Sequence, residues 1–165
     1  MTETATCATA SARQRSTSAG AAGIDGVPFT LRFAVRSYEL DTNHHLASTV
    51  YLQYAEHTRF ACGQAAGLSP QRLLADGFGP INLETTVRHH AELRADDQVD
   101  VTCAFVWGPG KTHRVEHVLT TPDGTLVAEI TSVSGLLDMR TRRLVADPGR
   151  ELRARATNPE LLGLA

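Results

Sequence analysis

The chain has 165 residues, 42% of them hydrophobic and 21% charged, with a formal net charge of −2. That is the length of one domain, enough to bury a core and too short for a second independent module. The charge gives no electrostatic reason to expect nucleic acid or an anionic membrane as a partner, and no apolar run approaches the ~20 residues of a spanning helix.

Residues 1–27 are rich in Ala, Ser, Thr and Gly and nearly lack large apolar side chains. Such a segment cannot bury enough surface to offset its ordering entropy, so it reads as a disordered tail. It has no continuous apolar stretch of the kind a secretory signal needs. Arg13, Arg15 and the scarcity of acids leave a transit peptide as the other reading, against a floppy leader on a cytoplasmic protein. From Phe29 the pattern changes. Phe29, Leu31, Phe33 and Val35 alternate with Thr30, Arg32, Ala34 and Arg36, which is the period of a strand. Residues 39–48 show no period and read as a loop.

A long helix follows. Tyr51, Ala55, Thr58, Cys62 and Ala65 recur at helical spacing, with Val50, Tyr54 and Ala61 widening the stripe. Ser48 or Thr49 is positioned to cap its start, and Gly67 to end it. Ser69 with Pro70 announces a second, short helix that stops near Gly77. The rest alternates as strands: Ile81 to Val87, Val99 to Trp107, Val115 to Leu119 and Leu126 to Leu137. Gly108-Pro109-Gly110 and Pro122-Asp123-Gly124 mark turns between them. The order predicts an α+β fold in which strands in meander-like succession form one sheet that wraps the long helix. The folded domain is expected over residues 28–148, with 149–165 as a C-terminal tail whose apolar end can dock.

Three cysteines, Cys7, Cys62 and Cys103, are an odd number without metal-ligand spacing, which suits a reducing cytoplasm. His113 and His117 share a strand face but stand about 13 Å apart along it, too far to share an ion. His89 and His90 point to opposite faces. No metal site and no cofactor are expected.

The segment from Val35 to Arg59 carries the chemistry. Asp41, Asn43 and His45 sit in a loop just before a helix start, whose free N–H groups can polarise a carbonyl. A carboxylate beside that carbonyl can attack it or activate a water, and Asn43 and His45 can orient the partners. These parts suit thioester hydrolysis, in which the thiol is a good leaving group. Asp-x-Asn is also ordinary loop chemistry, because both side chains bond their own backbone in turns.

The stretch resembles the first motif of the 4-hydroxybenzoyl-CoA thioesterase-like hotdog family, with Asp41, His45, Tyr51, Glu56 and Arg59 at the family positions. The Asp-x-Asn-x-His spacing also resembles that of plant acyl-ACP thioesterases. The segment from Thr86 to Asp97 is similar to the family's second motif. The resemblance covers roughly Phe29 to Pro148. It implies a hotdog fold, one long helix wrapped by a curved antiparallel sheet. It also implies an acyl-CoA or acyl-ACP thioesterase in which Asp41, Asn43 and His45 are catalytic and Thr49, Tyr51 and Arg59 meet the substrate. Acyl-CoA or an acyl carrier protein is then the substrate carrier. Hotdog domains pair their sheets edge to edge, so a homodimer or homotetramer is expected, with the acyl tunnel between protomers.

Two departures stand out. His44 replaces the family's usual glycine, and Ala47-Ser48 replace its asparagine pair. Arg59 aligns with an arginine that serves catalysis in the related enediyne-pathway thioesterases, and reads equally as a solvent-facing charge. Glu84 reads as an outward strand residue or a second carboxylate of the site. A hotdog dehydratase or hydratase and a non-catalytic acyl-binding hotdog protein would share the fold.

Overall fold

The computed structural model describes residues 28–164, so the leader segment and Cys7 lie outside the described residues. The alternation from Phe29 becomes strand β1 (Phe29–Ala34), with Phe29, Leu31 and Phe33 half-buried and the residues between them exposed. Helix α1 (Ser48–Ala65) and the short α2 (Pro70–Ala75) follow. Then come β2 (Phe78–His89), β3 (Gln98–Val106), β4 (Thr112–Thr120), β5 (Leu126–Asp138) and a two-residue β6 (Arg143–Leu144). This is the α+β hotdog architecture, an antiparallel sheet curled around one long helix.

The sheet order is β1-β3-β4-β5-β2, with β6 added beside β5. Strands β3, β4 and β5 form the expected meander through the two predicted turns. Strand β2 departs from it. It pairs with β5 at the far edge, while β3 takes β1 and β4 as neighbours. Both edges of β3 are thereby occupied, so the chain leaving β2 must cross the sheet before β3 begins. A bulge between Asn82 and Glu84 interrupts the β2–β5 register at Leu83.

Helix α1 buries Val50, Tyr51, Tyr54, Ala55, Thr58 and Cys62. The stripe ends on buried Ala66 rather than on Ala65, which is exposed. A repeat of 3.6 residues carries the inward face from Cys62 to a position four residues later. The expected cap is also corrected. Ala47 holds the N-cap position, with no side-chain hydrogen bond, and Ser48 and Thr49 lie inside the helix. Two backbone bonds fix this start: the Leu46 N–H donates to the Leu93 carbonyl (2.8 Å) and the Ala47 N–H to the Glu39 carbonyl (2.9 Å). Gly67 ends the helix at φ +83°, where a Cβ would fall 2.1 Å from Thr157 Oγ1. Ser69 caps α2 by accepting from the Arg72 N–H.

The segment after Pro148 folds onto the domain. Asp147 caps helix α3 (Pro148–Arg153), and a 3₁₀ turn follows at Pro159–Leu162. Leu152, Leu162 and Leu164 are buried, and the Trp107 indole N–H donates to the Leu162 carbonyl at 2.6 Å. Among the described residues no helix is long and apolar enough to cross a membrane.

The core falls into two apolar clusters along α1. One gathers around Tyr51, Tyr54, Val99, Val127 and Ile130, under the first half of the helix. The other gathers around Cys62, Cys103, Phe105, Leu136 and Leu162, under the second half. Burying each such side chain contributes roughly 1.5–3 kcal/mol. The sheet also presents buried His113, His117, Ser132 and Ser134, and α1 presents buried Thr58.

Candidate active site

The loop before α1 is closed by a bridge between Leu40 and Leu46. Within it the Asp41 N–H donates to the His45 carbonyl at 2.8 Å and the His44 N–H to the Asp41 carbonyl at 3.0 Å. This turn requires φ +60° at His44. Left-handed backbone is nearly free for glycine and costs other residues about 1–2 kcal/mol, a physical reason for glycine at this position of the family pattern.

Asp41 Oδ1 accepts from the Asn43 N–H at 2.8 Å and the His45 N–H at 3.2 Å. The Asx-turn geometry is therefore present. Among the described residues no hydrogen bond or ion pair engages Asp41 Oδ2. The carboxylate lines an open cleft of about 490 Å³, together with His45, Ala47, Ser48, Tyr51, His89 and Glu92. Because Ala47 has no side-chain acceptor, the amides that begin α1 meet no side-chain cap at the edge of this cleft. A helix N-terminus carries about half a positive charge, so it favours a developing oxyanion.

His45 Nε2 is 2.9 Å from Glu92 Oε2, and Arg94 holds the other Glu92 oxygen at 2.8 Å. Arg94 keeps the Glu92 carboxyl below its ordinary value, against a smaller opposing effect of burial. The Arg94–Glu92–His45 chain thus orients the imidazole from the segment after β2. Glu92 was not singled out from sequence. Its signal was the charged Glu92-Leu93-Arg94 run within the second motif, but its partner lies 47 positions earlier in the chain. Tyr51 is almost fully buried and packs edge-on against His89 at 4.7 Å between centroids. Burial raises the Tyr51 phenol, and the Asp41 and Glu92 charges raise it further against a Leu93 backbone bond. Tyr51 therefore remains a neutral hydroxyl at physiological pH.

The other sequence candidates are placed differently. Asn43 supplies its backbone N–H to Asp41, and its exposed side chain does not line the cleft. Thr49 is exposed on the first turn of α1 and also lies outside the lining. Arg59 stands eight residues beyond Tyr51, about 12 Å along the helix. There its guanidinium donates to Asn82 Oδ1, which also accepts from Ser134 Oγ at 2.8 Å. Glu84 is exposed on β2 beside the bulge. A second hollow, of about 510 Å³, opens at this end of α1 between Glu56, Arg59, Phe60, Phe105, His113 and Leu136. Among the described residues no group of three His, Cys, Asp or Glu side chains gathers as metal ligands do.

The family model described as thioesterase-like superfamily matches residues 35–158. Among solved structures, a Staphylococcus aureus protein, SAV2348, in complex with CoA aligns with a TM-score of 0.70 and 23% identity, covering 78% of this chain and 80% of its own. YbaW, a probable thioesterase from Escherichia coli, aligns at 0.67 and 23% identity, covering 77% and 95%. The 12:0-ACP thioesterase from Umbellularia californica aligns at 0.68 and 21% identity, covering 77% of this chain and 48% of its own. At these identities the likeness establishes the shared fold. No curated protein sequence matches the chain significantly.

Proposed function

Since the chain belongs to the thioesterase-like superfamily, we propose that it hydrolyses an acyl thioester, carried by CoA or an acyl carrier protein, with Asp41 as base or nucleophile. The observation that carries this reading is the Asp41 carboxylate itself. One oxygen is tied to its own loop and the other is unengaged among the described residues, in a cleft beside the start of α1, whose N-cap Ala47 makes no side-chain hydrogen bond. A thioester whose carbonyl oxygen approaches the first-turn amides would place its carbon toward Asp41. The carboxylate then either takes a proton from an attacking water or adds to that carbon itself, in which case water afterwards cleaves the mixed anhydride to free the acid and restore Asp41. The electron pair returning from the tetrahedral oxyanion expels the thiolate. His45, held by Glu92, positions the loop and the substrate carbonyl, and Tyr51 offers a neutral donor. Support for the two carriers comes from the CoA complex and the ACP thioesterase among the structural relatives.

Assembly belongs to the same reading. Strand β2 pairs on one side with β5, and its outer edge carries exposed residues along most of its length. Unpaired strand edges invite pairing, and closed two-fold symmetry is the commonest outcome. We therefore propose a homodimer or a dimer of dimers joined through β2. Light scattering at micromolar concentration should give twice or four times the chain mass; a fully active monomer would refute it. The hydrolase reading is tested by incubating the protein with a panel of acyl-CoAs and acyl-ACPs and following thiol release. Binding without thiol release would favour an acyl-binding protein, and water addition to an enoyl thioester would favour a hydratase.

A further inference from the structure

Arg140, Arg142 and Arg143 stand together on the hairpin between β5 and β6, and all three are exposed. The turn that presents them is tightly built. Asp138 Oδ1 accepts from the Arg140 and Thr141 N–H groups at 2.9 Å each, and the Arg142 N–H donates to the Asp138 carbonyl at 2.8 Å. Arg142 sits at φ +56°, a left-handed position where an arginine carries backbone strain. Strain of this kind gathers at functional sites. Arg32, Arg36, Arg94, Arg114 and Arg155 each pair with a carboxylate. Among the described residues the three hairpin guanidiniums are in no ion pair, and that of Arg142 approaches the Met139 sulfur at 4.0 Å. Asp138 sets one carboxylate against their three positive charges.

Within one protomer this hairpin is remote from the Asp41 cleft. His89 lines the cleft at the end of β2 that pairs with Ala128, whereas the hairpin follows Asp138, which pairs with Phe78 at the other end. β2 has 12 residues, so its two ends are about 35 Å apart. Pairing two copies through β2 reverses the relation. A two-fold axis that continues the sheet sets the two β2 strands antiparallel, so His89 of one copy faces the partner's Phe78. Beyond that strand the partner's β5 and then its β6 follow, each ~4.8 Å further on. The partner's hairpin thereby comes within roughly 10–15 Å of the cleft. The pantetheine arm of CoA is about as long as four extended residues, ~15 Å.

Resting on the thioesterase and dimer readings above, we propose that each catalytic cleft is composite. Asp41 comes from one protomer, and the partner's Arg140, Arg142 and Arg143 hold the phosphates of the carrier, which is CoA. Guanidinium groups match phosphate oxygens with paired, charge-assisted hydrogen bonds. CoA brings a diphosphate and a 3′-phosphate to the end of its arm, a compact cluster that suits three arginines on one tight turn. The arm of an acyl carrier protein brings a single phosphodiester and would leave most of the cluster unused.

The test is complementation between subunits. The triple variant Arg140→Gln, Arg142→Gln, Arg143→Gln removes charge at exposed positions, so it should melt with the wild-type protein. It should lower kcat/KM for a turned-over acyl-CoA about tenfold or more, mainly through KM. The preference for acyl-CoA over the matching acyl-pantetheine, which has no phosphates, should shrink by the same factor. In a mixed dimer of the triple variant with Asp41→Asn, isolated through two different tags, the intact Asp41 faces the intact hairpin of the other subunit. The wild-type KM should return, with about half the wild-type kcat per dimer. A mixed dimer that keeps the raised KM would put hairpin and cleft in one protomer and overturn the proposal. An active monomer in light scattering, a triple variant with unchanged KM, or an acyl-ACP turned over in preference to acyl-CoA would also overturn it. If no thioester releases thiol, calorimetry with CoA decides. A Kd raised about tenfold or more in the triple variant would retain the site and refute hydrolysis alone. Unchanged or absent CoA binding would overturn both.

Discussion

Replacing Tyr54 by Phe removes one hydroxyl and little else. The ring lies flat on Phe33 at 4.3 Å, a stack that Phe preserves. The hydroxyl donates to Glu39 Oε2 at 2.6 Å, and Glu39 is only 9% exposed. Burial alone would raise the Glu39 carboxyl. The Tyr54 hydroxyl, the Arg36 N–H and the Arg36 guanidinium outweigh it and hold the carboxyl below its ordinary value. A hydrogen bond to a charged group contributes about 1.5–3 kcal/mol, so Tyr54→Phe should lose that much stability. For a chain of this size the melting temperature should fall by roughly 3–12 °C. The sign with pH follows from the depressed folded-state value. The Glu39 contribution is fully present above the unfolded carboxylate value, about 4.3, and fades as pH falls through the folded one. Urea melts should therefore show the full Tyr54→Phe penalty at neutral pH and a smaller one in acid, and a smaller one again in a Glu39→Gln background. Because the Glu39 carbonyl also accepts from the Ala47 N–H, activity should fall with stability. A penalty below about 0.5 kcal/mol, or one equal in acid, in neutral solution and in the Glu39→Gln background, would refute the reasoning.

His44→Gly relieves about 1–2 kcal/mol of left-handed strain and adds about 0.5–1 kcal/mol of unfolded-chain entropy. It should be neutral or stabilise by up to about 1.5 kcal/mol in urea melts, with activity equal or higher; clear destabilisation would contradict the turn described here. His45→Ala should lower kcat/KM about tenfold or more, with the melting temperature nearly unchanged. Glu92→Gln should give a smaller loss in the same direction. If both variants lose stability in step with activity, His45 is a packing residue.

The strands and α1 were legible because their periods are local: alternation from Phe29, and helical spacing through Tyr51, Ala55, Thr58 and Cys62. The far-edge placement of β2 was not, since it depends on which strands occupy the edges of β3. The cap at Ala47 was misread in favour of Ser48 or Thr49 because side-chain preference was the visible signal. The chain is instead held there by carbonyls of Glu39 and Leu93. Helix α3 escaped notice although Asp147-Pro148 repeats the Ser69-Pro70 signature of α2. Asp41, His45 and Tyr51 could be gathered from one motif, and the structure places them in one cleft. Glu92 could not, because its pairing with His45 exists only once β2 has returned beside α1. His113 and His117 were visible as a pair on one strand face. Their burial follows from the layer that α1 and the sheet enclose, and the spacing tested only whether they could share a metal.

The most direct test of the account is thiol release by Asp41→Asn. Asparagine retains the Oδ1 acceptor for the Asn43 and His45 N–H groups, so the loop and the fold should persist. It removes the charge on which attack or water activation depends. With a turned-over acyl-CoA or acyl-ACP, kcat should fall by at least ~100-fold, the scale of lost general acid–base catalysis, with little change in melting temperature. Wild-type turnover by a folded Asp41→Asn protein would contradict the mechanism.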